Sequence, residues 1–176
     1  MVTEQGFREL MAGVCAPVTV VTATADRTPH GATVSAFASL SLRPPMVSVA
    51  LDRESGLLAR VLATGRFGVN VLGARQEALA LRFARRSADR FTGLRWEYDH
   101  GLPRLPEAPG WLVCELTSRA EGGDHLLLPR DGHPCPYVHG GAAGLRPPDL
   151  RHALRLRPRR MNPVIPLLVR SQGDRA

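Results

Sequence analysis

Hydroxyl side chains recur at alternate positions in one short stretch of the chain. They are Thr33, Ser35, Ser39 and Ser41, and alternate residues of an extended strand project from the same face. The residues beside them are small, namely Gly31, Ala32, Ala36 and Ala38. Such a strand suits a flat aromatic ligand with a polar rim, which needs a close approach to the backbone and hydrogen-bonding groups at its edge. A tight packing surface has the same composition, so the residues alone leave both interpretations open.

Other patterns that carry chemistry are missing from the sequence. We find no catalytic triad, carboxylate pair or Cys/His ligand spacing, and no G-x-G-x-x-G after a strand. Cys15, Cys114 and Cys135 are odd in number and far apart, which indicates neither a disulfide framework nor a zinc site. We expect inert thiols and no metal.

Length and charge narrow the function classes. A chain of 176 residues predicts one domain. We expect neither a membrane-spanning apolar run nor a secretory signal. The protein is therefore predicted to be cytoplasmic and to bind no membrane. The net charge of +7 arises in the tail: residues 1–128 hold 14 Arg against 13 acidic residues, and residues 129–176 hold nine Arg against three. Because a nucleic-acid binder carries its basic face on the folded domain, we expect no nucleic-acid partner.

Periodicity and turn residues predict an α+β, mainly β domain with antiparallel strands and short flanking helices. Apolar spacing predicts a helix over residues 4–13, and Ser55 and Gly65 are placed to begin and end a helix over residues 56–63. A third helix is expected over residues 76–85. The strands are predicted at residues 18–24, 31–38, 46–51, 67–72, 111–120 and 124–128.

The chain resembles the flavin reductase family of the FMN-binding split β-barrel fold, the small reductase components of two-component flavin-dependent monooxygenases. The resemblance covers about residues 5–128 and rests on six pieces in the family's order. They are residues 30–45; residues 47–51 with Asp52 and Ser55; residues 67–72; residues 79–85 with Ser87, Asp89 and Phe91; Trp96; and residues 123–125. No single piece is diagnostic.

The resemblance implies a set of flavin-binding residues. Thr33, Val34, Ser35, Ala36 and Ser39 match the segment that lines the isoalloxazine, and Asp52 and Ser55 match contacts near the ribityl chain and phosphate. A serine at a helix start favours an anion, although a plain helix cap accounts for Ser55 equally well. Phe83, Ala84, Arg85 and Arg86 match the segment on the phosphate side of the flavin, where the two arginines are otherwise solvated helix-end charges.

The implied activity is an oxidoreductase that transfers hydride from NADH or NADPH to FMN or FAD and supplies reduced flavin to a partner monooxygenase. His125 resembles the family position that approaches the nicotinamide, with Asp124 orienting it; a structural histidine is the alternative. The resemblance also implies a homodimer. A non-catalytic FMN-binding split-barrel protein remains the alternative function, and a binder of acidic partners acting through the tail is disfavoured by the charge distribution.

The resemblance stops after Leu128. Residues 129–176 hold eight of the 15 prolines, and all 23 basic residues of the chain are Arg, a composition that central strands do not tolerate. We therefore divide the chain into a split-barrel domain, residues 1–128, and an atypical Arg/Pro-rich tail, residues 129–176, expected to pack poorly. A frameshift product and a genuine divergent tail both explain this composition.

Overall fold

The computed structural model describes residues 2–86, 89–116 and 118–129, and the backbone of residues 137–139. Three helices and eleven strands are assigned in these ranges. They are α1 (Glu4–Ala12), β1 (Thr19–Ala25), β2 (Thr28–Val34), β3 (Phe37–Leu42), β4 (Pro45–Asp52), α2 (Gly56–Thr64), β5 (Arg66–Val71), α3 (Glu77–Ala84), β6 (Glu97–Asp99), β7 (Leu102–Arg104), β8 (Gly110–Glu115), β9 (Ala120–Gly122), β10 (His125–Pro129) and β11 (Tyr137–His139).

The strands form two main antiparallel sheets. The first has the order β11-β8-β5-β1-β2 and the second the order β3-β4-β10-β9, while β6 and β7 form a separate hairpin. The apolar faces of the two sheets enclose the main core with α2, as expected for an open barrel. The antiparallel, mainly β class predicted from the sequence is confirmed.

Local signals explain the elements that were predicted well. Ser55 Oγ accepts a hydrogen bond from the backbone N–H of Leu57 (3.2 Å), and Gly65 ends α2 in the left-handed conformation with φ 68°. Between these caps, Leu57, Leu58 and Val61 point into the core. The β1–β2 hairpin turns at Asp26 and Arg27, which both have positive φ, the geometry of a tight type I′ turn.

The predicted single strand over residues 31–38 is wrong. The chain leaves the first sheet after Val34, at the end of β2, and enters the second sheet at Phe37, the start of β3. Within β3 the pairing with β4 shifts register between Ser39 and Ser41, and one extra residue there reverses the alternation of side chains. The four hydroxyls therefore do not share one face of one strand.

The sequence also failed to predict the β6–β7 hairpin, whose strands are short. The hairpin is fastened to the first sheet by buried polar groups: Thr22 Oγ1 donates to the carbonyl of Pro103 (2.8 Å), and Asn70 Oδ1 accepts from the N–H of Leu105 (2.8 Å). The predicted strand over residues 111–120 is likewise wrong, because β8 ends at Glu115 and β9 lies in the other sheet.

Two features bear on the predicted tail. β10 extends to Pro129, and the backbone of β11 pairs with β8, with Tyr137 opposite Val113. The remaining tail residues lie outside the described part of the chain, so the division at residue 128 and the origin of the tail stay predictions.

Among the residues that the structure describes, no helix has the length and apolar character needed to cross a membrane.

The buried amide of Asn70 leads to a stability prediction. Its side chain is fully buried, and Asn70→Ala leaves the N–H of Leu105 without its acceptor and removes the bond that Asn70 Nδ2 donates to the carbonyl of Val20. We expect the free energy of unfolding to fall by about 3 kcal/mol, measured by urea denaturation, because unsatisfied buried groups cost about 1–3 kcal/mol each. Thr24→Val, which removes a more exposed bond to the same hairpin at Gly101, is the control and should cost less than about 1 kcal/mol; equal losses would contradict the argument.

Candidate functional site

The chain crosses from one sheet to the other at residues 33–36, which we call the crossing segment. Thr33 Oγ1 donates to the carbonyl of Ala80 on α3 (2.6 Å), and the N–H of Ala50 on β4 donates to the carbonyl of Ala36 (2.9 Å). These two bonds fix the segment to α3 on one side and to β4 on the other. The crossing segment is therefore bonded to α3 and β4, two elements that carry other predicted site residues.

The side chains of the crossing segment differ in exposure. Val34 belongs to the main core, whereas Ser35 and Ala36 are exposed. Ser35 and Ala36 line a shallow pocket of about 340 Å³. Its other lining residues are Cys15, Ala16 and Pro17 before β1, Phe37 and Ala38 of β3, Ser48 and Ala50 of β4, and Leu127 of β10. The pocket wall is mostly apolar and lacks bulky polar side chains, so a flat ring can approach the backbone closely.

Ser39 lies apart from this pocket. It pairs with Val47 of β4, whose side chain packs on the core, whereas its neighbour Ala38 pairs with Ser48 in the pocket wall. Directly paired residues share a face, so the Ser39 hydroxyl is on the other face of the sheet. Ser39 is not among the residues that line the pocket, and a shared role for the Ser35 and Ser39 hydroxyls stays a prediction.

Asp52 and Ser55 lie at the junction of β4 and α2. Asp52 Oδ1 accepts from the N–H of Glu54 (2.7 Å), and Ser55 Oγ caps α2 as described above. The predicted helix cap at Ser55 is thus confirmed. Both side chains order the loop that precedes the first turn of α2, where helix N–H groups and the helix dipole favour an anion.

His125 lies directly opposite Asp52 in the pairing of β10 with β4. Its Nδ1 is 2.8 Å from Asp124 Oδ1, and this hydrogen bond lowers the pKa of the Asp124 carboxyl. The pair fixes the imidazole ring and engages one of its two nitrogens.

Arg53 holds the turn that carries this histidine, and sequence reasoning missed it. Its Nε donates to the carbonyl of Gly123 (2.8 Å), its backbone N–H donates to the carbonyl of Asp124 (3.0 Å), and its guanidinium forms an ion pair with Glu121. No local sequence pattern connects residue 53 with residues 121–124, so only the fold reveals this contact.

Four predicted site residues lie at the C-terminal end of α3 and differ in exposure. Phe83 is only 1% exposed and makes an edge-on ring contact with Phe91 (centroids 5.0 Å apart), so its side chain packs in the core, and its contact with the flavin stays a prediction. Ala84 is half-buried, and Arg85 and Arg86 are exposed. Arg85 lines an open cleft of about 460 Å³ beside α3 that also includes Arg82 and Arg90.

A second group of basic side chains was not predicted. Arg90 Nη1 donates to the carbonyl of Gly31 on β2, and Arg60 Nη1 donates to the carbonyl of Gly56 in the first turn of α2. Burial, followed by the positive charges of Arg60 and Arg90, lowers the pKa of His30. The three residues are distant in sequence, and only the fold brings them together.

In the part of the chain that the structure describes, no three His, Cys, Asp or Glu side chains converge in a way that would hold a metal ion. The crossing segment offers hydroxyls and backbone amides, and Arg82, Arg85 and Arg90 lie in the cleft beside α3. Such groups bind and orient an anionic, planar ligand.

Residues 11–129 match the sequence profile of the flavin reductase like domain. The chain is 36% identical over 142 residues to the reductase component of a 4-nitrophenol 4-monooxygenase/4-nitrocatechol 2-monooxygenase from Rhodococcus opacus. The aligned region covers 76% of this chain and 77% of the relative. It is 40% identical over 128 residues to an NADH:riboflavin 5'-phosphate oxidoreductase of Streptomyces pristinaespiralis, covering 70% and 72%.

Solved structures agree with this similarity. An NADH:FAD oxidoreductase of Streptomyces globisporus, determined with NAD and FAD fragments, superimposes with a TM-score of 0.68 at 32% identity, covering 73% of this chain and 81% of the other. The native flavin reductase PheA2 gives a TM-score of 0.67 at 28% identity, covering 72% and 82%.

Proposed function

The chain belongs to the flavin reductase family, and we propose that it carries out NAD(P)H-dependent flavin reduction at the crossing segment. It reduces FMN or FAD with NADH or NADPH and supplies reduced flavin to a monooxygenase. The observation that carries the proposed location is the pair of bonds that ties the crossing segment to α3 and to β4. The residues implied by the family resemblance lie in the crossing segment, on β3, at the end of β4 and the start of α2, at the C-terminal end of α3, and at the start of β10.

The residues present fit a flavin nucleotide. Ser35, Ala36 and Ala50 leave room for a flat ring against the backbone, while the start of α2 and the arginines near α3 supply positive charge for a phosphate. The flavin and nicotinamide rings supply the hydride-transfer chemistry when bound, and the protein supplies alignment. Because the bound rings supply the chemistry, hydride transfer at this site requires neither a catalytic triad nor a metal ion from the protein.

Residues of this chain then have distinct roles in the proposal. Thr33 fixes the crossing segment through its bond to Ala80 and so holds the backbone amides of Ser35 and Ala36 in position for the polar rim of the ring. Asp52 and Ser55 order the loop near the ribityl chain. Asp124 fixes His125 through Nδ1, which directs Nε2 toward the nicotinamide.

We also propose that two copies of the chain form a homodimer. α1 has no buried residue, and Phe7 and Leu10 on it are 52% and 66% exposed. Leu127, in the wall of the proposed ring pocket, is also exposed. Apolar surface of this kind is typical of an interface, and a second copy covering Leu127 would also close the pocket. A cytoplasmic location is proposed because the nicotinamide reductant is available there.

One assay tests both the activity and the position of the ring. The protein is mixed with NADH or NADPH and with either FMN or FAD, and oxidation of the nicotinamide is followed by its absorbance at 340 nm. We expect flavin-dependent oxidation of the nicotinamide in the wild type. Ala36→Tyr fills the pocket and should raise the flavin dissociation constant at least tenfold, whereas Leu42→Tyr, at an 84% exposed position of β3, should not. Bound flavin without nicotinamide turnover would instead indicate a non-catalytic flavin-binding protein.

His125→Ala tests the nicotinamide side of the site. We expect the KM for NADH or NADPH to rise several-fold, because the imidazole contacts only that substrate, with the KM for flavin unchanged within twofold. Asp124→Asn keeps a hydrogen-bond acceptor beside Nδ1 and should give a smaller rise. Unchanged kinetics in His125→Ala would remove this histidine from the site.

The proposed dimer is tested by light scattering coupled to gel filtration. A mass of about twice 19.1 kDa is expected, and Leu10→Glu should shift the population toward monomer if α1 lies in the interface. A monomeric wild type at micromolar concentration would contradict the proposal.

A further inference from the structure

The turn that joins β9 to β10 carries the proposed nicotinamide contact. It has two central residues, Gly123 and Asp124, because Gly122 pairs with His125 across it. Gly123 has a φ of 74°, in the left-handed region that glycine adopts without steric cost. β9 is three residues long, is exposed throughout and is the last strand of the second sheet. The turn therefore receives little support from its own hairpin.

Arg53 supports the turn from the loop between β4 and α2. His125 and Asp52 form the terminal residue pair of β10 with β4, and Arg53 is the first residue beyond that pair. Its backbone N–H donates to the carbonyl of Asp124 (3.0 Å), and its Nε donates to the carbonyl of Gly123 (2.8 Å). Both central residues of the turn are thus bonded to one residue.

These two carbonyls set the direction of the imidazole. Because a peptide unit is planar, the bond to Gly123 fixes the peptide that leads into Asp124. The bond to the carbonyl of Asp124 likewise fixes the peptide that leads into His125. The side-chain bond between Asp124 and His125 is exposed to solvent, and exposed charged pairs hold a geometry only weakly on their own. The orientation of the imidazole therefore depends on the backbone that Arg53 holds.

The other end of the Arg53 guanidinium is held as well. Its Nη2 forms an ion pair with Glu121 of β9, while its Nε faces the carbonyl of Gly123. A guanidinium presents its donors in a rigid planar fork, so a bond at one end constrains the direction of the other. Arg53 thereby connects β9, the turn and the loop that follows Asp52.

We propose that Arg53 is a positioning residue for the nicotinamide substrate, which it affects by holding the β9–β10 turn and, through the turn, the imidazole of His125. The inference rests on the proposed function, because that function assigns His125 to the nicotinamide. It gives the loop between β4 and α2 a second role: Asp52 and Ser55 order its flavin side, and the Arg53 side chain holds the nicotinamide side.

Arg53→Ala is the first test. It keeps the backbone bond to Asp124 and removes the side-chain bond to Gly123 and the ion pair with Glu121. We expect the KM for NADH or NADPH to rise about two- to fivefold, because a displaced contact aligns the substrate less well. The KM for flavin should stay within about twofold of the wild-type value. Melting temperatures within about 4 °C of each other verify that the variant is folded.

Arg119→Ala is the matched control. Arg119 is an exposed arginine that directly precedes β9, so its removal takes the same charge from the same hairpin and leaves the bonds of Arg53 intact. Both KM values should stay within about twofold of wild type.

A double-mutant cycle separates positioning from a direct attraction between Arg53 and the anionic dinucleotide. If Arg53 acts through His125, adding Arg53→Ala to His125→Ala should not raise the nicotinamide KM beyond that of His125→Ala alone. A direct attraction would persist without the imidazole, and the two effects on KM would then multiply.

The state of the imidazole is also measured without turnover, by NMR of the histidine ring resonances, with His125→Ala identifying those of His125. We expect Arg53→Ala to shift them toward the values of a freely rotating histidine, because the bond to Asp124 is no longer held in place. Arg119→Ala should leave them unchanged.

Three results would overturn the inference: multiplying effects in the double-mutant cycle, an unchanged nicotinamide KM in Arg53→Ala, or unchanged ring resonances of His125 in that variant. A rise in the flavin KM alone belongs to the second of these and would assign Arg53 to the flavin side. Unchanged kinetics in His125→Ala would instead contradict the proposed nicotinamide contact and this inference with it, whereas failure of Arg53→Ala alone leaves the proposed function intact.

Discussion

The position of residues 33–36 depends on two hydrogen bonds that act from opposite sides. The bond from Thr33 to Ala80 joins the end of β2 to α3, and the bond from Ala50 to Ala36 joins the start of β3 to β4. Because β2 and β3 belong to different sheets, this short segment also fixes how the two sheets meet. Ala80 and Ala50 belong to elements that carry further residues of the proposed site, and β10, which carries His125, pairs with β4.

Local sequence signals predicted the elements whose structure is determined locally. Ser55 and Gly65 define α2 through a side-chain cap and a left-handed C-terminus, both of which act within one turn of helix. The alternating hydroxyls at Thr33, Ser35 and Ser39 predicted one continuous strand, and this prediction was wrong because the chain path there is set by long-range pairing. A strand period can be read from sequence only where the strand is continuous, and the crossing and the register shift at Ser39 are set by pairing with β4.

The charge distribution illustrates a second limit of sequence reasoning. Counting residues correctly located the excess positive charge in residues 129–176 and gave a nearly neutral domain. A nearly neutral sum nevertheless conceals local separation, because Arg60 and Arg90 lie together beside His30 while Arg53 and Arg104 are paired with acidic side chains elsewhere. Net charge bears on the class of partner, whereas the positions of individual charged side chains are revealed only by the fold.

Hydride transfer between two bound rings makes demands that differ from those of acid-base catalysis. No side chain needs a perturbed proton affinity for the transfer itself, so the protein contributes mainly by restricting the geometry of the two rings. The structure around His125 matches this demand. Asp124 holds the ring through one nitrogen, and Arg53 holds the turn through two backbone carbonyls. These contacts restrain the imidazole at the same end of the sheet as Asp52, with which His125 pairs, and thereby couple the proposed nicotinamide contact to the junction of β4 and α2.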